Sequence, residues 1–191
     1  MIDYKVRKIS YKLAADYIKK NHYTMGICNG GFGYGLFKEN GIKNYVLFPI
    51  DQLIGVCFFS IPISENVRLS IDKVNKNEVI ELSRLHILDI TPKNTESYFI
   101  SRCLKLLKKE HSNYKAVVSY ADSTQNHTGI IYKASNFKYL GTTYKKIFYL
   151  DQNNRLRSPR QNSVNISTKT ALNLGWKISK RNIKHKYVYY L

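Results

Sequence analysis

The feature that most constrains the fold is a strand–helix–strand pattern in the middle of the chain. Residues 115–121, KAVVSYA, form a near-continuous apolar run that is typical of a central strand buried on both faces. Upstream, residues 97–110, SYFISRCLKLLKKE, have the spacing of an amphipathic helix, and residues 78–88, EVIELSRLHIL, read as a strand. Strands that alternate with helices in this way predict an α/β layer.

Further elements extend this layer on both sides. We predict a helix over 10–23, a hairpin turning at Asp51 and Gln52 after NYVLFPI, a helix over 126–137 and a strand or hairpin arm over 137–150. A short helix near TKTALNLG and a terminal strand, KYVYYL, complete the chain. The result is a mixed β-sheet flanked by helices in one domain. We assign 1–150 to its main body, 151–167 to a basic linker or loop, and 168–191 to a helix and strand packed on the same domain.

Five glycines lie between residues 26 and 35, in GICNGGFGYG. The stretch looks like a phosphate-cradling loop, but it lacks the GxxxxGK[ST] pattern and does not follow a predicted strand. We therefore predict a flexible or tightly turned loop at a binding site.

The charge of the chain is extreme for its size, with 31 Lys and Arg against 13 Asp and Glu and a formal net charge of +18. An AT-rich codon bias supplies lysine, but it favours acidic residues as well, so the imbalance favours a polyanionic partner, with nucleic acid first. From Lys145 onward Asp151 is the only acidic residue. The candidates for phosphate contacts there are Arg155, Arg157, Arg160, Lys180 and Arg181, and a merely solvated loop is the alternative.

Other classes are disfavoured by composition. No apolar run approaches the ~20 residues of a membrane span, and MIDYKVRKIS lacks the apolar segment of a secretory signal. Three widely spaced cysteines, Cys28, Cys57 and Cys103, indicate reduced thiols rather than a disulfide framework. We expect a cytoplasmic protein without a membrane partner.

Reactive side chains cluster in residues 117–141, VVSYADSTQNHTGIIYKASNFKYLG. Asp122 ends the central strand, where open α/β sheets bind ligands, although an Asp that caps the following turn is the alternative. Tyr132 lies in the next predicted helix, where an aromatic core residue is the alternative.

Three motifs carry a family resemblance: ELSRLHILD, PKNTESYFISRCLKLLKK and VVSYADSTQNHTGIIYKASNFKYLG. Their order resembles the second half of the Gcn5-related N-acetyltransferase (GNAT) fold, and residues 78–145 resemble the Mom family of phage DNA-modification proteins. The resemblance implies an enzyme that converts adenine in double-stranded DNA to N6-carbamoylmethyladenine and protects phage DNA from restriction. It also implies the cytoplasm of a phage-infected or prophage-bearing bacterium.

The resemblance also implies site residues. The family's functional positions fall on Arg84, Asp122 and Tyr132, and more loosely on His22 and Tyr23. Asp122 would orient or deprotonate the adenine amine and Tyr132 would protonate a leaving group. Arg84 would pair with an acid or grip a phosphate or carboxamide, with a structural ion pair as the alternative. Ser83 is a motif neighbour whose role we infer from its position.

The acyl donor is left open by the turn TPKNTES, which lacks the glycines of the GNAT coenzyme A loop. Lys93, Asn94 and Thr95 would hold the donor at the helix N-terminus. We hypothesise glycyl-tRNA as donor, which makes tRNA a second partner, with acetyl-CoA as the alternative. The family resemblance also brings iron into question. We do not favour an iron site, because the sequence shows no cluster of two His and one carboxylate, and we predict no metal site.

Two other functions are weighed against this one. The first is a GNAT-family N-acyltransferase that acts on another amine, in a tRNA, a protein or a small molecule. The second is a noncatalytic basic nucleic-acid-binding protein. For the DNA-modifying enzyme, Phe32 and Tyr34 are candidates for stacking against an extruded base. A homodimer is compatible with the sequence.

Overall fold

The chain alternates strands and helices as the sequence predicts, and additional strands occur near both ends. The structure is a computed structural model that describes residues 4–23, 26–27, 30–38, 51–123, 127–143, 147–157, 160–161, 164–180 and 183–191. The described strands are β1 (Tyr4–Ile9), β2 (Phe32–Lys38), β3 (Gln52–Ser60), β4 (Val79–Ile87), β5 (Ala116–Asp122), β6 (Lys138–Thr142), β7 (Ile147–Leu150), β8 (Leu156–Arg157), β9 (Arg160–Gln161), β10 (Val164–Asn165), β11 (Lys177–Lys180) and β12 (Lys184–Tyr190). The described helices are α1 (Tyr11–Asn21), α2 (Glu65–Leu69), α3 (Thr95–Glu110), α4 (Ile130–Ala134) and α5 (Thr168–Asn173), with a 3-10 turn at Lys76–Glu78.

Seven strands form one mixed sheet in the order β1-β2-β3-β4-β5-β12-β6. Strands β1 to β4 are antiparallel neighbours. Strands β4 and β5 are parallel, and α3 is the crossover that parallel neighbours require. The predicted α/β class, a mixed sheet flanked by helices, is confirmed.

Helices α1 and α3 cover opposite faces of this sheet, because successive side chains of a strand point to opposite faces. On β3, Val56 packs with Ala14 and Ile18 of α1. The neighbouring Cys57 is hydrogen-bonded to Cys103 of α3, and both are buried free thiols. The sheet therefore has a helix-covered apolar core on each side.

Helix α1 begins and ends at residues that cap it. The Ser10 hydroxyl accepts a hydrogen bond from the Leu13 N–H at 3.2 Å. At the other end, the His22 N–H donates to the Ile18 carbonyl at 2.9 Å. His22 and Tyr23 consequently lie just after the last turn of the helix.

The glycine-rich segment is not the loop that we predicted from 26 to 35, because Phe32 to Lys38 form strand β2. A Cβ atom at Gly35 would lie 2.7 Å from a Phe37 ring atom and 2.8 Å from a Leu53 methyl group. Glycine is needed at this position for close packing between strands, not for flexibility.

Two further boundaries differ from the predictions. Gln52 begins β3 instead of forming a turn, and the predicted strand NYVLFPI lies outside the described residues. The helix expected over 126–137 is shorter, since α4 spans Ile130–Ala134. Residues 127–129 before it are not helical, and Gly129 has a φ of 79°, in the left-handed region that ends helical structure.

The chain forms two compact units. The first comprises Met1–Tyr120, Ile130–Tyr139 and Tyr187–Leu191, and the second comprises Ala121–Gly129 and Leu140–Lys186. In the second unit β7 pairs with both β8 and β11, and β9 pairs with β10. Within residues 151–167, which we predict to be a basic linker or loop, the structure describes the short strands β8, β9 and β10. The division into 1–150, 151–167 and 168–191 stays a prediction.

Candidate active site

The candidate site of the first unit begins where β4 and β5 stop pairing. Their parallel ladder runs from Val79 opposite Ala116 to Leu82 opposite Ser119, although both strands continue beyond it. Against β3, the register of β4 shifts between Phe58 and Phe59, which leaves Ser83 as an extra residue. Such a bulge bends a strand and re-aims its side chains, and bulges are frequent next to active sites.

Arg84 follows the bulge and is held by main-chain carbonyls. Its Nε donates to the Gly26 carbonyl at 2.9 Å, and its Nη1 donates to the Ser83 carbonyl at 2.6 Å. The Ser83 hydroxyl in turn donates to the Phe58 carbonyl at 3.3 Å. These bonds fix the guanidinium and use two of its five N–H donors. The structure thus explains how an arginine is tolerated within a strand.

Ser119 and Tyr132 form a buried polar pair at the end of the β4–β5 ladder. The Ser119 hydroxyl donates to the Leu82 carbonyl at 2.9 Å, and Ser119 lies close enough to Tyr132 to act on the pKa of its phenol. Tyr132 projects from α4, and its ring centroid lies 5.4 Å from those of Phe137 and Tyr187. Burial raises the pKa of the Tyr132 phenol well above its ordinary value, against a smaller lowering effect of Ser119. The phenol is therefore protonated at neutral pH and can donate a proton.

His22 and Tyr23, after α1, belong to the same unit. Their rings stack with centroids 4.3 Å apart. Tyr23 lies close enough to Tyr132 to contribute to its raised pKa. Residues far apart in sequence, on α1, β4, β5 and α4, are thus brought together in the first unit.

His86 is a member of this cluster that the sequence analysis missed. The Tyr17 hydroxyl donates to the Ile54 carbonyl at 2.8 Å and lies 3.2 Å from Nδ1 of His86. Since Tyr17 has one hydroxyl proton, Nδ1 of His86 must be the donor to Tyr17, which leaves Nε2 as an acceptor. The His86 ring centroid lies 6.4 Å from that of His22. Burial lowers the pKa of His86, against the nearby Asp89 charge, so the neutral ring predominates at pH 7.

One signal in the sequence pointed to His86. It follows Arg84 by two residues in β4, and residues two apart share a face of a strand.

Asp122 ends β5 and is described within the second unit. Its side chain is 3% exposed, and its Oδ2 lies 3.8 Å from Nζ of Lys184 in β12. Its carbonyl accepts a hydrogen bond from the His127 N–H at 3.3 Å. Asp122 thus places a carboxylate beside a lysine, an arrangement suited to orienting an amine.

The turn TPKNTES has a conformation that compensates for its lack of glycine. Asn94, at the start of α3, has a φ of 70°, in the left-handed region that asparagine tolerates better than most residues. The Thr95 hydroxyl is bonded to the Pro92 carbonyl at 2.7 Å. A cavity of about 370 Å³ lies here, lined by Lys93, Asn94 and residues of α4. The missing glycine thus does not prevent a turn that opens the N-terminus of α3.

Comparison with known sequences assigns the chain to a family, since the model of the Mom protein family matches residues 3–191. This chain belongs to the Mom protein family. The resemblance seen in the sequence is confirmed. A curated relative of this Mom-family chain, Methylcarbamoylase mom of Escherichia phage Mu, is 28% identical over 148 residues. The match covers 77% of this chain but only 57% of the length of that relative.

Solved structures show the fold of the Mom-family chain. Arabidopsis thaliana NAA60 in complex with acetyl-CoA superposes with a TM-score of 0.54 at 10% identity, covering 99% of each chain. An acetyltransferase of the GNAT family from Streptococcus pneumoniae gives 0.54 at 8% identity, covering 99% of this chain and 100% of that one. These superpositions show that the fold is GNAT-like, and at identities this low they show the fold alone.

Two candidate residues of the Mom-family chain are not placed as predicted. Tyr34 is completely buried in β2, and its hydroxyl donates to Glu110 at 3.1 Å, so it offers no surface for a base. Phe32 is stacked on His111, with ring centroids 4.0 Å apart. Both assignments followed from the loop predicted over 26–35, and β2 replaces that loop.

The basic candidates of the second unit differ in their surroundings. Arg157 donates through Nε to Oδ2 of Asp151 at 2.8 Å, and its Nη2 lies 2.6 Å from the same oxygen. Arg155 is exposed and contributes its main-chain N–H to Oδ1 of Asp151 at 2.8 Å. Arg157 therefore has a structural partner, whereas the Arg155 side chain faces solvent. The side chains of Arg160 and Lys180, and all of Arg181 and Cys28, lie outside the described part of the chain.

Among the residues that the structure describes, no three His, Cys, Asp or Glu side chains are grouped so that they could hold a metal ion. In the same part, no helix is both long and apolar enough to cross a membrane.

Proposed function

We propose that this chain is a DNA-modifying transferase that installs a carbamoylmethyl group on N6 of adenine by acyl-transfer chemistry. The Mom family assignment supports DNA modification, and the name of the phage Mu relative, a methylcarbamoylase, supports the transferred group. The GNAT-like fold supports transfer of an activated acyl group to an amine.

The observation that carries the proposal is the Ser119–Tyr132 pair at the end of the β4–β5 ladder. A protonated phenol that is held by buried rings beside a strand end can give its proton to a departing alkoxide or thiolate. The Arg84 guanidinium, beside the bulge, has N–H donors left for the carbonyl oxygen of the donor or the carboxamide of the product.

The remaining groups suit the acceptor amine. Attack by adenine N6 on a carbonyl requires that the amine lose a proton. Within the first unit, the neutral His86, oriented by Tyr17 and near His22, is the candidate base. The base role predicted for Asp122, which is described in the second unit, stays a prediction. The exposed Tyr23 ring is suited to contact the base or the acyl group.

The donor that we favour is glycyl-tRNA. Adenine N6 attacks the glycyl carbonyl, the ester C–O bond breaks, and the ribose oxygen leaves with a proton. The free glycyl amine then attacks ring carbon C6 through a five-membered spiro intermediate, and the former N6 is expelled as the amide nitrogen. The product is N6-carbamoylmethyladenine, no oxidant or reductant is needed, and proximity makes the second step intramolecular.

Acetyl-CoA is the competing donor, since Arabidopsis thaliana NAA60 was solved with it. The left-handed Asn94 lies at the start of α3, and a helix N-terminus is suited to a phosphate of either donor.

The deciding experiment is mass analysis of nucleosides from cells that express the chain while growing on glycine with a heavy nitrogen. We expect modified adenine with the label at N6, bonded to both C6 and the methylene carbon. Purified protein that instead acetylates adenine N6 in DNA from acetyl-CoA alone, releasing free coenzyme A, would replace the glycyl donor by acetyl-CoA. Unmodified DNA together with acylated tRNA or protein would favour the GNAT enzyme acting on another amine.

A further inference from the structure

The exposed side of α3 carries basic and aromatic residues that the reaction described above does not use. Tyr98, Arg102, Lys105 and Lys108 are exposed and follow one another at spacings of three or four residues, which aligns them along one side of the helix. We call these four residues the α3 stripe. The guanidinium of Arg102 lies 5.3 Å from the centroid of the Tyr98 ring.

Two cavities run along the α3 stripe. A cavity of about 610 Å³ between α3 and the ends of α4 and β12 is lined by Tyr98, Lys105 and Lys108. A second, of about 410 Å³, lies between α3 and β1 and is lined by Tyr98, Arg102, Lys105 and the β1 residue Lys5. The stripe thus borders concave surface on both sides, which distinguishes it from an ordinary solvated helix face.

The larger cavity is continuous with the donor turn. It shares Asn94, Ser97 and Ala134 with the cavity at the N-terminus of α3. At 1.5 Å per residue, Lys105 and Lys108 lie about 15 and 20 Å along the helix from Thr95. A single nucleotide bound at the turn is too short to contact both lysines, whereas a short single strand that starts at the turn contacts them in succession.

The stripe is not explained by the helix itself. Cations in the last turn of a helix interact favourably with its dipole, which accounts for Lys108 and Lys109. Arg102 and Lys105 lie further from the C-terminus, where this effect has faded. Lys109 is exposed as well, but it lines neither of the two cavities.

We propose that the α3 stripe binds the single-stranded 3′ end of the aminoacylated RNA that delivers the acyl group. The inference rests on the proposed function and adds the RNA-binding surface to it. Cationic grooves that follow a backbone and an exposed ring that stacks on a base are the features by which proteins bind single strands. Duplex DNA, whose bases are stacked inside, presents no free base to Tyr98.

The test measures binding of the full chain to three probes by fluorescence anisotropy over a series of salt concentrations. The probes are an RNA hairpin with a single-stranded CCA 3′ tail, the same hairpin with a blunt end, and a DNA duplex. Lys108→Ala is compared with Lys109→Ala, which removes the same charge one position away. For the tailed RNA, Lys108→Ala is expected to reduce the slope of log affinity against log salt concentration by ~0.7, the value for one single-strand phosphate contact. Lys109→Ala is expected to leave that slope unchanged.

A second pair of variants tests the aromatic contact. Tyr98→Ala is expected to weaken binding of the tailed RNA about 5- to 150-fold, which corresponds to the ~1–3 kcal/mol of one stacked base, with little effect on the blunt hairpin. Tyr98→Phe, which keeps the ring, is expected to retain binding.

Three outcomes would overturn the assignment. Equal changes of the salt dependence in Lys108→Ala and Lys109→Ala would mean that the stripe attracts RNA only through its overall charge. Equal weakening of the tailed RNA and the DNA duplex would make it part of the DNA surface. Unchanged binding of the tailed RNA by Lys108→Ala, with weakened binding of acetyl-CoA as a fourth probe, would make the groove a coenzyme site. Unmodified DNA from cells expressing wild-type chain, combined with the expected RNA results, would instead refute the proposed function and leave the RNA site standing.

Discussion

Tyr132 packs against the rings of Phe137 and Tyr187, and its phenol lies close enough to Ser119, at the end of a strand ladder, for that residue to act on its pKa. Tyr132→Phe removes the proton donor and keeps the ring. We expect the rate of adenine modification under single-turnover conditions to fall ~10²–10⁴-fold, as for the loss of one acid–base group.

The matched control is Tyr187→Phe, which deletes a hydroxyl from the buried ring next to Tyr132. The free energy of unfolding of both variants is expected to stay within ~1 kcal/mol of the wild-type value, since each change deletes one hydroxyl and keeps the ring. Equal rates for the two variants would remove Tyr132 from the chemistry.

His86 is expected to act as a base with a tautomer set by Tyr17. Because burial lowers the pKa of His86, the neutral form predominates above that pKa, and activity is expected to fall as the pH drops through it. His86→Asn should abolish this acidic limb and lower kcat. Tyr17→Phe leaves the imidazole in place, so it should lower kcat less and retain the limb. A pH–rate profile of His86→Asn that matches the wild type would assign the base to another residue.

At the scale of elements, the hairpin between β7 and β8 depends on one carboxylate. Asp151 is 8% exposed and accepts hydrogen bonds from the main-chain N–H groups of Asn153 and Arg155 and from the Arg157 side chain. These contacts, the Arg155 N–H first, lower the pKa of Asp151 below its ordinary value of 3.8.

The sign of the pH effect follows from that shift. A depressed carboxyl pKa adds stability that is present above the ordinary value of 3.8 and is lost as the pH falls through the folded-state value. Asp151→Asn should therefore lower the midpoint of urea unfolding at pH 7. The midpoint of this variant should also fall less on acidification than the wild-type midpoint does. Asp16→Asn, at an exposed position of α1, is the control and should change neither. An unchanged midpoint for Asp151→Asn would mean that the hairpin adds nothing to stability.

The elements that the sequence predicted best have a clear period. Helix α3 and strands β4 and β5 were predicted because burial decides their pattern: in α3 the buried residues repeat every three or four positions. Strand β2 was missed because a glycine-rich stretch is typical of a loop, whereas Gly35 serves close packing within the sheet. Strand β1 was missed because most of its side chains remain in contact with solvent.

The site was predictable only where a motif carried it. Arg84, Asp122 and Tyr132 came from the family resemblance, whose family is now confirmed, while their roles stay predictions. His86 was not found because its importance depends on Tyr17 and Ile54, contacts that local sequence does not reveal. Tyr34 was wrongly placed at a binding surface because the number of tyrosines hides which of them are buried.

At the scale of the molecule, the net charge of +18 predicts DNA binding that weakens steeply with salt. Two arginines of one hairpin test which charges take part. Arg155→Ala is expected to reduce the slope of log affinity against log salt by ~0.9, the value for one duplex contact. Arg157→Ala should change the slope less, because Asp151 already neutralises that guanidinium. A larger slope change for Arg157→Ala than for Arg155→Ala would contradict this difference.

The sheet order has a consequence for biosynthesis. The strand placed between β5 and β6 is β12, which the ribosome makes last. Until residue 190 has left the exit tunnel, the edges of β5 and β6 lack their neighbour, and unpaired strand edges are prone to join other chains. The elements synthesised earlier therefore form a sheet that is incomplete until β12 is available. We expect nascent chains that stall before β12 to depend on chaperones that shield strand edges, whereas the released chain does not.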